Sequence, residues 1–333
     1  MIKLLFPTDG MTVDTYTDVQ NEFLDRISRD GIESALEWLL PIKDGKEISY
    51  PRSVEFSWEG GVAPYTLSLA TDPDMKDAVE YTSDKNTVSV GNLLVGCRYY
   101  WSVNGSAVST FTTKGGFTRF ISIEGVPNVR DIGGLNIKQG LLYRGGELER
   151  CYTITDEGKR AFADELGIRT ELDLRADMIG RITESAAGDK VKLVQMPYRP
   201  YDEVFEDQHR AGIVKIMEFL SDEGNYPVFF HCLGGADRTG MIALYLRALA
   251  GEDDNILHTD YELTSLSAYA MGIAEGASAT GFRKRTSGYY SSFIDRILEY
   301  SADGTLSSAV ENFLLDCGAK RETLEKIKSI IRK

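Results

Sequence analysis

An α/β domain with a central, largely parallel sheet flanked by helices, preceded by an all-β sandwich, is the fold class this sequence predicts. Three observations carry that expectation. Apolar residues alternate with polar ones through several short runs in the first third of the chain, which is the period of half-buried strands. Beyond Thr113-Lys114-Gly115-Gly116 the pattern changes to apolar strand candidates alternating with longer helical ones, which implies a layered α/β fold. Third, the stretch VFFHCLGGADRTG, Val228 to Gly240, reads as a buried strand, a tight glycine-containing loop and the start of a buried helix. The boundary is expected at the glycines, giving an N-terminal unit over 1–115 and an α/β unit over 116–333.

In chain order, Thr17 to Ile27 predicts a capped amphipathic helix. Strands follow at Val54-Phe56-Trp58, Tyr65-Leu67-Leu69, Val88-Val90 and Tyr99-Trp101-Val103, with turns at Glu59-Gly60-Gly61 and Asn104-Gly105. Trp58 and Trp101 are expected in the core rather than on a ligand platform, because alternating aromatics face inward. In the second part, strands are expected at Thr170 to Leu174, Val191 to Met196 and Val228 to Phe230. Helices are expected at Asp156 to Leu166, Gln208 to Leu220 and Thr239 to Ala250, then at Ile256 to Leu266, Tyr289 to Tyr300, Leu306 to Leu315 and Glu322 to Ile331.

A chain of 333 residues with 42% hydrophobic content can bury one large core or two ordinary ones. Its net charge of −14 disfavours nucleic acid or an anionic membrane surface as main partner, while leaving room for one basic pocket that takes a small anion. The four cysteines, Cys97, Cys151, Cys232 and Cys317, are widely separated, so neither a zinc site nor a disulfide framework is signalled and no metal is expected. The opening MIKLLFPTDG lacks a signal-peptide core, and no apolar run approaches the ~18 residues of a membrane helix. A cytoplasmic location is the expectation, although a chain trimmed of a leader would look the same.

The chemistry centres on the loop from His231 to Thr239. Ligands of open α/β sheets bind beyond the carboxyl ends of the strands, where loops feed helix N-termini. If Leu233, Gly234, Gly235 and Ala236 curl around a centre, their N–H groups converge on one anion and the helix dipole adds to them. Gly234 and Gly235 would permit the backbone angles that such a nest needs. A thiol at its base, Cys232, would be acidified and act as a thiolate. Arg238 would close the cup with a bidentate fork on two equatorial phosphoryl oxygens, and Thr239 could donate its hydroxyl to the sulfur. A buried structural cysteine is the competing reading of Cys232, and it gives the glycines, Asp237 and Arg238 no reason to be there.

The spelling His-Cys-x5-Arg-Thr-Gly resembles the signature of cysteine-dependent tyrosine phosphatases. It is most similar to that of bacterial protein tyrosine/serine phosphatases, whose loop reads H-C-x-x-G-K-D-R-T-G. Their other elements occur here in the same order: Asn128-Val129-Arg130-Asp131-Ile132-Gly133-Gly134, Leu142-Tyr143-Arg144, Asp173-Leu174-Arg175 and Asp260-Tyr261-Glu262-Leu263-Thr264. The resemblance spans roughly 118–270 and implies a protein-tyrosine-phosphatase-like domain, a cysteinyl-phosphate route and no cofactor. It implies Asp237 as general acid, with hydrogen bonding to its own loop as the competing role; Asp202, in the Pro200 to Glu203 loop that follows a strand, is the alternative acid. His231 is expected to fix the cysteine backbone and favour the thiolate. Asp173 and Arg175 either orient the loop and help bind substrate or form a buried ion pair with Arg130 and Asp131, and the second is preferred. Asn128 to Gly134 are expected to pack beneath the loop and satisfy its carbonyls. One departure matters: Ala236 stands where the family commonly has lysine, which weakens the case for phosphoinositides and inositol polyphosphates.

Residues 50–113 resemble a fibronectin type III or related immunoglobulin-like domain, through the stretch that holds Gly96, Tyr99, Trp101 and Val103. Such domains are usually adaptors, which leaves a protein partner for the N-terminal unit as an open reading. His209 and His258 are expected at the surface. Arg283-Lys284-Arg285 is the one concentrated basic patch, with a solvated turn as its default reading. The function expected is removal of phosphate from phosphotyrosine, and from phosphoserine or phosphothreonine in a dual-specificity variant. Phosphatase action on inositol phosphates or phosphoinositides, and a non-catalytic phosphate-binding adaptor, are the two alternatives.

Overall fold

In the computed structural model, residues 2–175, 180–268 and 288–333 are described. The N-terminal part contains β1 (Lys3–Phe6), β2 (Met11–Val13), helices α1 (Asp18–Asp30) and α2 (Ile32–Lys43), then β3 (Val54–Glu59), β4 (Tyr65–Ala70), β5 (Val79–Ser83), β6 (Thr87–Val90), β7 (Arg98–Val103) and β8 (Ser109–Thr113). Among the described residues these strands make two facing sheets, β1-β3-β6 and β2-β8-β7-β4-β5. Phe56 of β3 lies between them, its ring 5.0 Å from Trp101 and 5.6 Å from Phe111. Trp58 and Trp101 are both buried, as the alternation requires.

Two features of this part were not expected. The opening segment supplies β1 and β2, and β2 joins β8 in parallel. Strands of three and four residues carry too short an alternation to announce themselves. Helix α2 follows α1 after Gly31 and buries Ile32, Ala35, Leu36 and Leu39, the i, i+3, i+4, i+7 stripe of an amphipathic helix. The α1 start is as the sequence implies: Thr17 accepts from the Gln20 amide N–H at 3.2 Å and Gln20 answers at 3.0 Å, a reciprocal capping box.

The second part contains β9 (Arg119–Phe120), β10 (Arg130–Asp131), β11 (Leu142–Gly145), α3 (Asp156–Arg160), β12 (Thr170–Asp173), β13 (Lys192–Gln195), α4 (Asp207–Leu220), β14 (Val228–His231), α5 (Asp237–Leu249), α6 (Asp254–Glu262), α7 (Gly288–Leu298), α8 (Leu306–Asp316) and α9 (Arg321–Ile331). Its sheet runs β13-β12-β14-β11-β10-β9, with the first four strands parallel and β10 and β9 antiparallel at the edge. Helices cover both faces. Val228 and Phe230 pack with α4, α5 and α8, while Phe229 faces Val129 and Phe162 on the other side. Every residue of α5 from Thr239 to Leu249 is buried.

Register decides where the site falls. Gly145 pairs with His231, and His231 with Asp173, so the carboxyl ends of β11, β14 and β12 lie side by side at one level. The two parts of the chain are also packed together. Phe23, Ala35 and Leu39 share a core with Phe120, Leu263 and Leu266. Lys43 reaches the Ser265 carbonyl at 2.7 Å, and the Gln139 side chain makes both of its bonds to the Val95 backbone, each 2.8 Å. Among the described residues no helix is long and apolar enough to cross a membrane.

Candidate active site

The loop between β14 and α5 has every carbonyl drawn outward. Cys232 O faces His231 Nδ1 at 3.1 Å, and Leu233 O accepts from the Glu147 N–H at 3.0 Å. Gly234 O and Gly235 O accept from the Asn128 amide at 2.9 and 3.1 Å, and Arg144 Nη2 adds a 2.7 Å bond to Gly235 O. Ala236 O accepts from the Gly240 N–H at 2.9 Å, inside the helix start. Among the described residues the N–H groups of Leu233, Gly234, Gly235 and Ala236 have no protein acceptor. With carbonyls committed to the outside, these donors and the uncapped N-terminus of α5 form an anion nest.

Of the two loop glycines, Gly235 has the left-handed φ, 67°. A Cβ there would collide with the Gly145 carbonyl, so conformation and close approach both require glycine.

Cys232 is almost fully buried, at the end of β14. Burial pushes its thiol up, but Arg238 and the Thr239 hydroxyl and N–H overcome that, and the net effect holds the thiol below its ordinary value of 9.0. The Thr239 hydroxyl is buried with no partner at hydrogen-bond distance, yet near enough to Cys232 to favour the thiolate. We read it as a donor held ready for sulfur. Arg238 is half-buried and touches the Leu174 carbonyl at 3.3 Å.

His231 is fully buried, with Nε2 at 2.8 Å from the Glu171 carboxylate. The carbonyl on its other nitrogen and the carboxylate on this one can only accept, so both nitrogens carry hydrogen and the ring is an imidazolium. Burial alone would pull its pKa down; Glu171 and then Asp173 raise it above its ordinary value. A fixed positive charge therefore stands directly behind the cysteine.

Beneath the loop lies a layer of buried ions. Asp260 pairs with Arg144, with Arg247 at 3.3 Å and with Arg130 at 3.5 Å, while Arg247 also meets Glu252 at 2.5 Å. Burial would raise the Asp260 carboxyl, but the three arginines hold it well below the usual carboxylate range. Among the described residues, these three guanidiniums share the two carboxylates of Asp260 and Glu252. Asn128 joins layer to loop, because its side-chain oxygen accepts from Arg130 while its amide holds the loop carbonyls.

Several expectations need correction. Asp173 and Arg175 do not pair with Arg130 and Asp131. They pair with each other at 2.8 Å, and Arg175 also engages Glu147 and Glu149; Asp131 is held by Arg119 at 3.0 Å. A strand end can fold its own i and i+2 side chains onto one another, and that local geometry prevails. Asp202 is turned to α7, where it bonds Ser292 at 2.8 Å and Arg296 at 3.2 Å. His258 is partly buried and bonds the Tyr290 hydroxyl at 2.8 Å. The basic patch at 283–285 lies outside the described residues.

Glu171, Glu147 and Tyr201 belong to the site although sequence reasoning did not single them out, and Arg144 and Asp260 appeared there only as motif letters. Glu171 sits two residues before Asp173, the register partner of His231, and had no signal of its own in the sequence.

Residues 121–332 match the tyrosine phosphatase family. The chain belongs to that family and is a phosphatase, a phosphoric monoester hydrolase. Similar solved structures include the core catalytic domain of the PP-IP phosphatase SIW14 from S. cerevisiae in complex with citrate, 18% identical over 39% of this chain and 75% of that one, with a TM-score of 0.29. A second, of the Siw14 catalytic core, is 18% identical over 37% of this chain and 70% of that one, with the same TM-score of 0.29. Likeness this distant says nothing about substrate. No curated protein sequence matches this chain.

Proposed function

We propose that this enzyme is a protein tyrosine phosphatase, with phosphoserine and phosphothreonine as slower substrates, working through a cysteinyl-phosphate intermediate. The observation that carries the reading is the loop's orientation: Asn128, Arg144, Glu147 and Gly240 take its carbonyls, so its N–H groups remain over an acidified thiol. In the first step Cys232 Sγ attacks phosphorus and the P–O bond to the tyrosine oxygen breaks, with Asp237 giving that oxygen a proton. Arg238 and the N–H groups of Leu233 to Ala236 hold the equatorial oxygens as charge shifts. In the second step water attacks phosphorus, Asp237 takes its proton, and sulfur leaves as a thiolate helped by the Thr239 hydroxyl and the His231 charge.

Ala236 supports a substrate with a single phosphate, because it brings no side-chain charge to the rim. Asp173 and Arg175 act here as braces: Arg175 ties the β12 end to Glu147, whose N–H holds the loop. We take 1–115 as a helical and fibronectin-like unit and 116–333 as the phosphatase unit, with the N-terminal unit as a support for the second through α2 and Gln139.

The test is phosphate release from a phosphotyrosine peptide, a phosphoserine peptide and inositol hexakisphosphate, with Cys232→Ser as blank. Release from the tyrosine peptide first, at least tenfold faster than from serine, and none from Cys232→Ser is the expected outcome. Preference for the inositol phosphate would overturn the substrate assignment. Turnover surviving in Cys232→Ser would overturn the mechanism.

A further inference from the structure

Tyr201 stands outside the loop, at the start of the 3₁₀ turn Tyr201–Phe205, and is one of the non-glycine residues with a left-handed φ, 58°. For a bulky residue that conformation costs about 1–2 kcal/mol, and it persists only where the surroundings dictate it. Here they do. The Tyr201 hydroxyl donates to Asp237 Oδ1 and lies 2.7 Å from the Tyr261 hydroxyl. Its single proton is committed to the carboxylate, so Tyr261 is the donor in the second bond, and the chain runs Tyr261 to Tyr201 to Asp237. Both rings are fixed from outside, Tyr201 by stacking on Tyr289 at 6.0 Å and Tyr261 by stacking on Tyr290 at 4.0 Å.

We propose that Tyr201 is a positioning residue for the proton donor: its hydroxyl fixes the rotamer of Asp237, and Tyr261 in turn fixes Tyr201. This rests on the reading of Asp237 as general acid. Among the described residues, the titratable and charged groups around Asp237 include Cys232 and Arg238 from the loop, Tyr201 from the 3₁₀ turn and Tyr261 from α6 behind it, while the neighbouring Asp202 is engaged by Arg296. Burial, then Asp237 and Tyr261, hold the Tyr201 phenol far above its ordinary range, so it stays a donor at all working pH. Without that hydrogen bond Asp237 is no longer aimed at the leaving oxygen.

The experiment compares wild type, Tyr201→Phe, Tyr261→Phe and Asp237→Asn on phenyl phosphate and 4-nitrophenyl phosphate. The second substrate has a good leaving group and needs little protonation. Tyr201→Phe is expected to lower kcat/KM on phenyl phosphate about tenfold, a fraction of the 10²–10⁴ that general acid catalysis contributes. The loss on 4-nitrophenyl phosphate should be distinctly smaller, which a merely structural role would not produce. Tyr261→Phe should do the same to a lesser degree, and it carries the test if Tyr201→Phe fails to fold by circular dichroism. Equal losses on both substrates, in variants whose Asp237→Asn counterpart does discriminate between substrates, would overturn the role of Tyr201 alone. If Asp237→Asn itself does not discriminate, the assignment of Asp237 falls and the inference with it.

Discussion

Arg238 and Arg144 approach the same loop from opposite sides and do opposite things. Arg144 is fully buried, with one nitrogen on Asp260 and another on the Gly235 carbonyl, so its charge is committed to holding the loop's shape. Arg238 is half-exposed, touches one carbonyl at 3.3 Å and, among the described residues, has no carboxylate partner. The difference separates two uses of one side chain: a paired arginine builds a nest, and an uncommitted one at its rim is available to the anion that fills it. Their sequence contexts, Leu142-Tyr143-Arg144 and Asp237-Arg238-Thr239, do not disclose which is which. Burial and partners do.

The comparison predicts unlike responses to mutation. Arg238→Lys keeps a positive charge and loses the planar fork, so turnover of a phosphotyrosine peptide should fall about 10³-fold, in line with what one arginine contributes to phosphoryl transfer. The urea midpoint should hardly move, since surface changes away from buried networks stay within about 0.5 kcal/mol. Turnover within tenfold of wild type, or a large loss of stability, would show that Arg238 is a structural arginine like the others.

Asp260→Asn acts on the other side of the contrast. It leaves Arg130, Arg144 and Arg247 without their shared carboxylate, and removing one partner from a buried ion network costs about 3–5 kcal/mol. Chemical denaturation should report that loss directly, and residual activity should track the folded fraction. A stable, slow enzyme would mean that the layer tunes the chemistry rather than holding the loop.

The loop was legible as a unit because the chemistry we propose for it needs neighbours in sequence: nucleophile, donors and fork would all come from one strand-to-helix junction. The layer beneath was not, because its pairings join distant elements. Arg144 and Asp260 are 116 residues apart, and Asn128 reaches its loop carbonyls across more than 100. The mistaken pairing of Asp173 and Arg175 has a different cause: the sequence offers several partners of opposite charge, and the structure takes the nearest, the i, i+2 pair at one strand end. The helices of the second part and its strands β12, β13 and β14 were legible as elements. Leu142-Tyr143-Arg144 of β11 was read only as a motif, and the short strands β9 and β10, with two residues apiece, have no period to read. Tyr201 was passed over as one of the chain's 17 tyrosines, since neither its left-handed backbone nor its reach to Asp237 has a local signature.

His231 refines the contrast further, because its charge is committed to Glu171 and still serves the cysteine. Glu171→Gln retains an acceptor but removes the charge that raises the imidazole's pKa. A group whose pKa is raised on folding contributes stability that is fully present below its unfolded value of about 6.5 and is lost as pH rises through the folded value. Wild type should therefore exceed Glu171→Gln in stability by about 1–2 kcal/mol at pH 6, the scale of one charge-assisted hydrogen bond, and the gap should close in alkaline buffer. The acid limb of the activity profile should move upward in the variant, since the thiolate loses a positive neighbour. A stability gap independent of pH would mean that His231 is neutral in the folded enzyme, leaving Arg238 and Thr239 to acidify Cys232 without it.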